Sequence, residues 1–169
     1  MGSQLRIAGI INESIADGPG IRMVIFTQGC KHNCKGCHNP QTHTLEGGEL
    51  IDTDKIISDL KKNILLDGIT LSGGDPFEQA EACAVLAGEV KKAGMNVITY
   101  TGYTYEQLQE LSNDRKGCKE LLENTDLLID GPFLIEKKDL LLKFKGSSNQ
   151  RIIDLNRTRA EGRLVLANI

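Results

Sequence analysis

No apolar run in this chain approaches the length of a membrane span, and the N-terminus lacks the charged, apolar and small-residue regions of a signal peptide. Both absences point to a cytoplasmic protein with no membrane partner. Met1-Gly2 opens like a myristoylation site, but Arg6 stands where that motif needs Ser or Thr. A basic stripe is also missing. The formal net charge is −3, and the pairs Lys61-Lys62, Lys91-Lys92 and Lys137-Lys138 are separated by acidic or apolar stretches, so no nucleic acid is expected as a partner. Repeats and low-complexity linkers do not occur, and the 169 residues fit one domain spanning 1–169, with 40% hydrophobic residues to supply its core. Cysteine is scarce and odd in number, five in all, with three crowded between Cys30 and Cys37. That crowding does not suit a disulfide framework, so reduced thiols are expected.

Short β-branched runs alternate with longer helix-patterned ones, the rhythm of an α/β domain with a parallel sheet. The expected strands are Leu5–Ile11, Ile21–Thr27, Ile69–Ser72, Val97–Tyr100, Leu127–Asp130 and Ile152–Leu155, the first an edge or extension. The expected helices are Thr53–Leu66, with Ile56, Ile57, Leu60 and Ile64 on one face, and Phe77–Lys92, with Ala80, Cys83, Ala87 and Val90 on one face. Tyr105–Leu111 and Cys118–Glu123 are shorter candidates. A closed eight-unit barrel takes about 250 residues. This length therefore predicts a partial (β/α) barrel of five to six strand–helix units.

All four prolines sit in turns: Gly18-Pro19-Gly20, Asn39-Pro40, Asp75-Pro76 and Gly131-Pro132. Gly29-Cys30, Gly73-Gly74-Asp75, Thr101-Gly102-Tyr103 and Gly131-Pro132 each follow an expected strand. Loops at the C-terminal ends of parallel strands share one rim, so these segments should meet at one site.

Cys30, Cys34 and Cys37 make a C-x3-C-x2-C loop after a hydrophobic strand. A four-iron cluster usually takes four thiolates, so three leave one iron open to a substrate. The bland alternative is structural zinc with His32 or His38 as fourth ligand, but zinc sites normally pair two ligands and then two more about a dozen residues on. Cys83 and Cys118 sit at apolar helical spacings and read as buried thiols, not ligands. The second constellation, Ile69-Thr70-Leu71-Ser72-Gly73-Gly74-Asp75-Pro76, is a buried strand entering a glycine turn. Asp75 would repel a phosphate there, but it and the turn carbonyls could accept from an ammonium group; alternatively Asp75 is only a helix N-cap.

The cysteine loop resembles that of the radical S-adenosylmethionine superfamily, and Gly73-Gly74-Asp75 is similar to its Gly-Gly-Glu-type motif. The resemblance implies one 4Fe-4S cluster held by Cys30, Cys34 and Cys37, with S-adenosyl-L-methionine as cosubstrate cleaved to a 5′-deoxyadenosyl radical. It implies cofactor contacts from Gly73, Gly74 and Asp75. The superfamily often has an aromatic residue where this chain has Gly36, so the adenine contacts are expected from the backbone of Gly36, Cys37 and His38, from the His38 side chain, or from elsewhere.

Asp17-Gly18-Pro19-Gly20-Ile21-Arg22 resembles the glycyl radical enzyme activases. Tyr100-Thr101-Gly102-Tyr103, Asp130-Gly131-Pro132-Phe133 and Gly146-Ser147-Ser148-Asn149-Gln150-Arg151 extend that likeness toward the group serving anaerobic ribonucleoside-triphosphate reductases. The resemblance implies a protein substrate, the reductase, which loses a hydrogen from a glycine near its C-terminus. It also implies reduced flavodoxin or ferredoxin as electron donor. No cysteine-rich ferredoxin-like insertion is present. A small radical enzyme acting on a small molecule, and a non-catalytic metal or iron–sulfur module, remain the rival readings.

Overall fold

The computed structural model describes residues 3–32, 34–37, 40–44 and 46–169. Its strands are β1 (Gln4–Ser14), β2 (Arg22–Thr27), β3 (Glu49–Asp52), β4 (Gly68–Gly73), β5 (Asn96–Tyr100), β6 (Leu127–Asp130) and β7 (Arg151–Asp154). Its helices are α1 (Thr53–Lys62), α2 (Ala80–Lys92), α3 (Tyr105–Leu111), α4 (Cys118–Glu123) and α5 (Leu155–Glu161). All seven strands join one open sheet in the order β3-β1-β2-β4-β5-β6-β7. Strands β2, β4, β5 and β6 run parallel, while β1, β3 and β7 are antiparallel to their neighbours. The α/β class is as expected and the sheet is not closed as a barrel. Its repeating part is shorter than the expected five to six strand–helix units, because antiparallel strands flank the four parallel ones on both sides. No described helix is long and apolar enough to cross a membrane.

Local chemistry sets most boundaries. Asp52 caps α1, its carboxylate accepting from the Asp54 amide at 2.8 Å. The helix stops at Lys62 rather than running to Leu66, because the Asn63 side chain accepts from the Leu65 amide at 3.0 Å and turns the chain. Ile64, expected on the buried face, is consequently 94% exposed. The second expected helix begins as a 3-10 turn over Pro76–Gln79 and becomes α-helical at Ala80; Ala80, Cys83, Ala87 and Val90 are buried as its periodicity requires. Two elements carry too little signal for periodicity. Strand β3 is four residues long, and α5 buries only Leu155 and Thr158. The last strand ends at Asp154, whose carboxylate accepts from the Arg157 amide at 3.0 Å and starts α5.

Alternation along the strands gives the sheet two different faces. Met23, Ile25, Ile69, Leu71, Val97, Leu128 and Ile153 join helix residues such as Leu86, Leu108 and Leu121 in the main core. The other face carries Phe26, Ser72 and Tyr100 around a cavity, with a small cluster of Ile98, Ile129 and Ile152 beside it. One face is therefore sealed by helices, and the other holds the site.

Candidate cofactor site

Strand β2 delivers the cysteine loop. Gly29 has φ +108°, a conformation that favours glycine, and the chain then turns against two segments at once. The Gly29 and Cys30 amides donate to the carbonyls of Thr42 (2.6 Å) and His43 (3.1 Å). The Gly29 carbonyl accepts from the Asp75 amide at 2.7 Å, and the Thr27 carbonyl from the Gly74 amide at 2.7 Å. Cβ atoms on Gly73 and Gly74 would collide with the backbones of Phe26–Thr27 and Gly29 respectively. The two glycines thus let two strand ends touch.

Cys30, Cys34 and Cys37, each partly exposed, line one open cavity of about 540 Å³. The Cys37 amide donates to the Cys34 carbonyl at 3.2 Å, closing the turn between the last two cysteines. Burial pushes the Cys34 thiol above its ordinary pKa. Among the described residues, no three His, Cys, Asp or Glu side chains converge on one ion position. Thiols spread along one wall still suit a polynuclear cluster, whose irons each take their own cysteine. Cys83 and Cys118 are fully buried in the core, as expected.

The remaining motif segments meet on the same wall. Asp17, Gly73, Gly74, Thr101, Gly102 and Gly131 line the cavity, as do Phe133, Gly146 and Gln150. Gln150 holds this edge together: its Oε1 accepts from the Gly146 and Ser147 amides at 2.9 and 3.1 Å, and its Nε2 donates to the Gly131 carbonyl at 3.1 Å. The Tyr100 hydroxyl donates to the Phe144 carbonyl at 2.6 Å, and Phe144 has φ +62°. Gly36, with φ +77°, sits where a side chain would strike Ile135. His38 lies outside the described residues.

Asp75 is fully buried and its carboxylate does not line the cavity. It accepts from the Phe77 amide (3.0 Å), the Thr101 hydroxyl (2.9 Å), the Gly102 amide (3.0 Å) and His32 Nε2 (2.6 Å). His32 and the Gly102 amide meet Oδ2, the Phe77 amide meets Oδ1 and the Thr101 hydroxyl is shared between them, so both oxygens are engaged inside the fold. The N-cap role is therefore present, and a direct reach from this carboxylate to an ammonium in the cavity is not. Burial disfavours charge on His32, but the hydrogen bond it donates to Asp75 and the charges of Asp75 and Glu78 outweigh it and raise the pKa of the imidazole. The His32 ring also meets Tyr103 edge-on, centroids 4.4 Å apart. The sequence singled out His32 only as a zinc alternative; spacing along the chain carries no sign of its partner 43 residues away.

A glycine-lined cavity at the C-terminal ends of parallel strands, walled by three cysteines, defines the class as an iron–sulfur protein, and the sequence model of the 4Fe-4S single cluster domain matches residues 16–153. The chain is 40% identical over 146 residues to the anaerobic ribonucleoside-triphosphate reductase-activating protein of Vibrio cholerae, covering 82% of this chain and 90% of that one. It is 36% identical over the same coverage to the Haemophilus influenzae protein of that name, and 33% identical to that of Escherichia coli, covering 80% and 90%. The chain belongs to the family of anaerobic ribonucleoside-triphosphate reductase-activating proteins.

Proposed function

We propose that this chain activates an anaerobic ribonucleoside-triphosphate reductase by generating a glycyl radical on it, working as one radical S-adenosylmethionine domain whose open sheet is a partial barrel. The observation that carries the reading is the convergence of the cysteine loop, the glycine turn and the four flanking motif segments on one cavity. When bound, a 4Fe-4S cluster supplies the electron that cleaves S-adenosylmethionine to methionine and a 5′-deoxyadenosyl radical, which takes hydrogen from a glycine of the reductase.

Cys30, Cys34 and Cys37 would hold the cluster. Gly73 and Gly74 bring bare backbone to the cavity beside it, where turn carbonyls can accept from the methionine ammonium; Asp75 contributes by holding that turn from behind. Gly36, Cys37 and His38 are the assigned adenine side. A cavity of about 540 Å³ falls within the common size range for cofactor pockets, and its open mouth admits a protein loop. The target follows from the names of the relatives. The electron donor is reduced flavodoxin or ferredoxin.

The test is to mix the anaerobically reconstituted protein with S-adenosylmethionine, a one-electron reductant and the reductase. An electron paramagnetic resonance signal of glycyl type should appear on the reductase, accompanied by about one 5′-deoxyadenosine per radical. It should vanish when the reductase's C-terminal glycine is changed to alanine. Cofactor cleavage with no reductase radical, and hydrogen abstraction from a small molecule instead, would overturn the reading.

A further inference from the structure

The cysteine loop is tied to the turn after β4 by side chains as well as by backbone. Between the first two cysteines stand Lys31 and His32, one basic and one titratable residue. Beyond the glycines stand Asp75 and Glu78, both almost entirely buried. His32 Nε2 lies 2.6 Å from Asp75 Oδ2, and Lys31 Nζ lies 3.4 Å from Glu78 Oε2. The lysine pair is largely exposed on its basic side and adds little. The histidine pair differs: the His32 side chain is only 16% exposed and Asp75 is sealed.

Two further features fit His32 to this place. Gly102, whose amide also donates to Asp75 at 3.0 Å, would drive a Cβ into the imidazole, so the loop after β5 is cut away to admit the ring. Tyr103 then meets the ring edge-on from the same loop, its hydroxyl donating to Glu78 at 2.5 Å. Asp75 thus gathers the loops after β2, β4 and β5 around one carboxylate.

We propose that His32 is a positioning residue: its bond to Asp75 clamps the cysteine loop onto the Gly73-Gly74 turn and fixes the distance between the cluster and the backbone that receives the cofactor's methionine group. This rests on Cys30, Cys34 and Cys37 being the cluster ligands. Cluster and cofactor seat sit on different loops, and a cofactor bound to both needs them in fixed register.

The experiment compares His32→Leu, His32→Gln and Asp75→Asn with the native chain. Gln places its amide nitrogen close to the position of imidazole Nε2, so it keeps the donor, whereas Leu removes it. In the metal-free chains, hydrogen exchange of the loop amides between Gly29 and Cys37 should accelerate in His32→Leu and return toward native in His32→Gln. After anaerobic reconstitution all four proteins should hold iron and sulfide, since the three thiols are intact. Affinity for S-adenosylmethionine should fall about tenfold or more in His32→Leu, as expected for loss of a hydrogen bond to a charged group, with His32→Gln recovering most of it. The change that S-adenosylmethionine causes in the reduced cluster's paramagnetic resonance spectrum should weaken in parallel. Native affinity in His32→Leu, or equal damage in His32→Gln and His32→Leu, overturns the clamp. Should Asp75→Asn fail to fold, the two His32 variants decide alone. A native chain that takes up no cluster overturns the cluster reading itself, a result distinct from native affinity in a loaded His32→Leu protein.

Discussion

Two of the five cysteines are sealed in the core and three stand partly exposed on the cavity wall, and the difference is one of surroundings. Burial pushes the Cys83 thiol far above its ordinary range, in a core with Leu86 and Ala87 where no ion can reach. Cys30, Cys34 and Cys37 instead share the cavity wall. Changing any of these three to Ala is expected to abolish bound iron while leaving the metal-free chain's unfolding midpoint nearly native, because partly exposed side chains contribute little burial. Cys83→Ala and Cys118→Ala should keep the iron and lose about 1 kcal/mol of stability through small cavities. Iron and sulfide analysis beside urea titration checks both halves; retained cluster in Cys34→Ala would contradict the assignment. That the three thiols share one wall was legible because their spacing is local. Asp75 was legible as a residue that matters but not in its orientation, since that depends on Thr101, Gly102 and His32 closing around it from other loops.

Elements with strong periodicity or a cap were likewise legible, among them β2, β4, β5, β6, α2 and α3. Strand β3 and helix α5 were not, since a four-residue strand and a seven-residue polar helix exist only because neighbours receive them. The segment before β2 is the instructive case, because its sequence gives a turn and says nothing of what anchors it. Arg22, fully buried, anchors it. Its Nη1 donates to the Pro19 carbonyl at 3.0 Å, its Nη2 to the Ile69 carbonyl at 2.6 Å and its Nε to the Thr70 hydroxyl at 2.8 Å. Thr70 in turn donates to the Asp17 carbonyl at 2.7 Å, so the loop reaching the cavity edge hangs from one guanidinium. Burial lowers the pKa of Arg22 to about 10, with the charge still retained near neutrality. Arg22→Leu strands several buried acceptors and should cost about 3 kcal/mol or more. Arg22→Lys should recover little, because a single ammonium cannot replace a planar fork. Urea midpoints of the metal-free proteins measure this, and a loss below about 1 kcal/mol for Arg22→Leu would assign the loop's position to its backbone instead.

At the scale of the whole molecule, one carboxylate ties together the end of the sheet opposite the cavity. Asp126 accepts from the Val97 amide at 2.8 Å, from Asn156 at 2.9 Å and from Lys91, joining β5, α5 and α2 just before β6. Its own carbonyl accepts from the Leu155 amide at 2.9 Å. Burial acts to raise its pKa, but the hydrogen bonds from Lys91, Asn156 and Val97 outweigh it and hold the carboxyl below the ordinary range. A carboxyl lowered in the folded state stabilises fully above its unfolded value, about 3.9, and loses that contribution as pH falls through the folded value. The Arg151 hydrogen bond lowers Glu106 too, but that side chain is 62% exposed and solvent screens the pair. Asp126→Asn should therefore lower stability at pH 7 by about 2 kcal/mol and flatten the decline in acid, whereas Glu106→Gln should alter either by only a few tenths. Urea unfolding of the metal-free chains from neutral pH down to the acid limb separates them. The Asp126→Asn and native curves should converge at the lowest pH, where the native carboxyl is also protonated; parallel curves across the whole range would mean that Asp126 acts through packing and not through its charge.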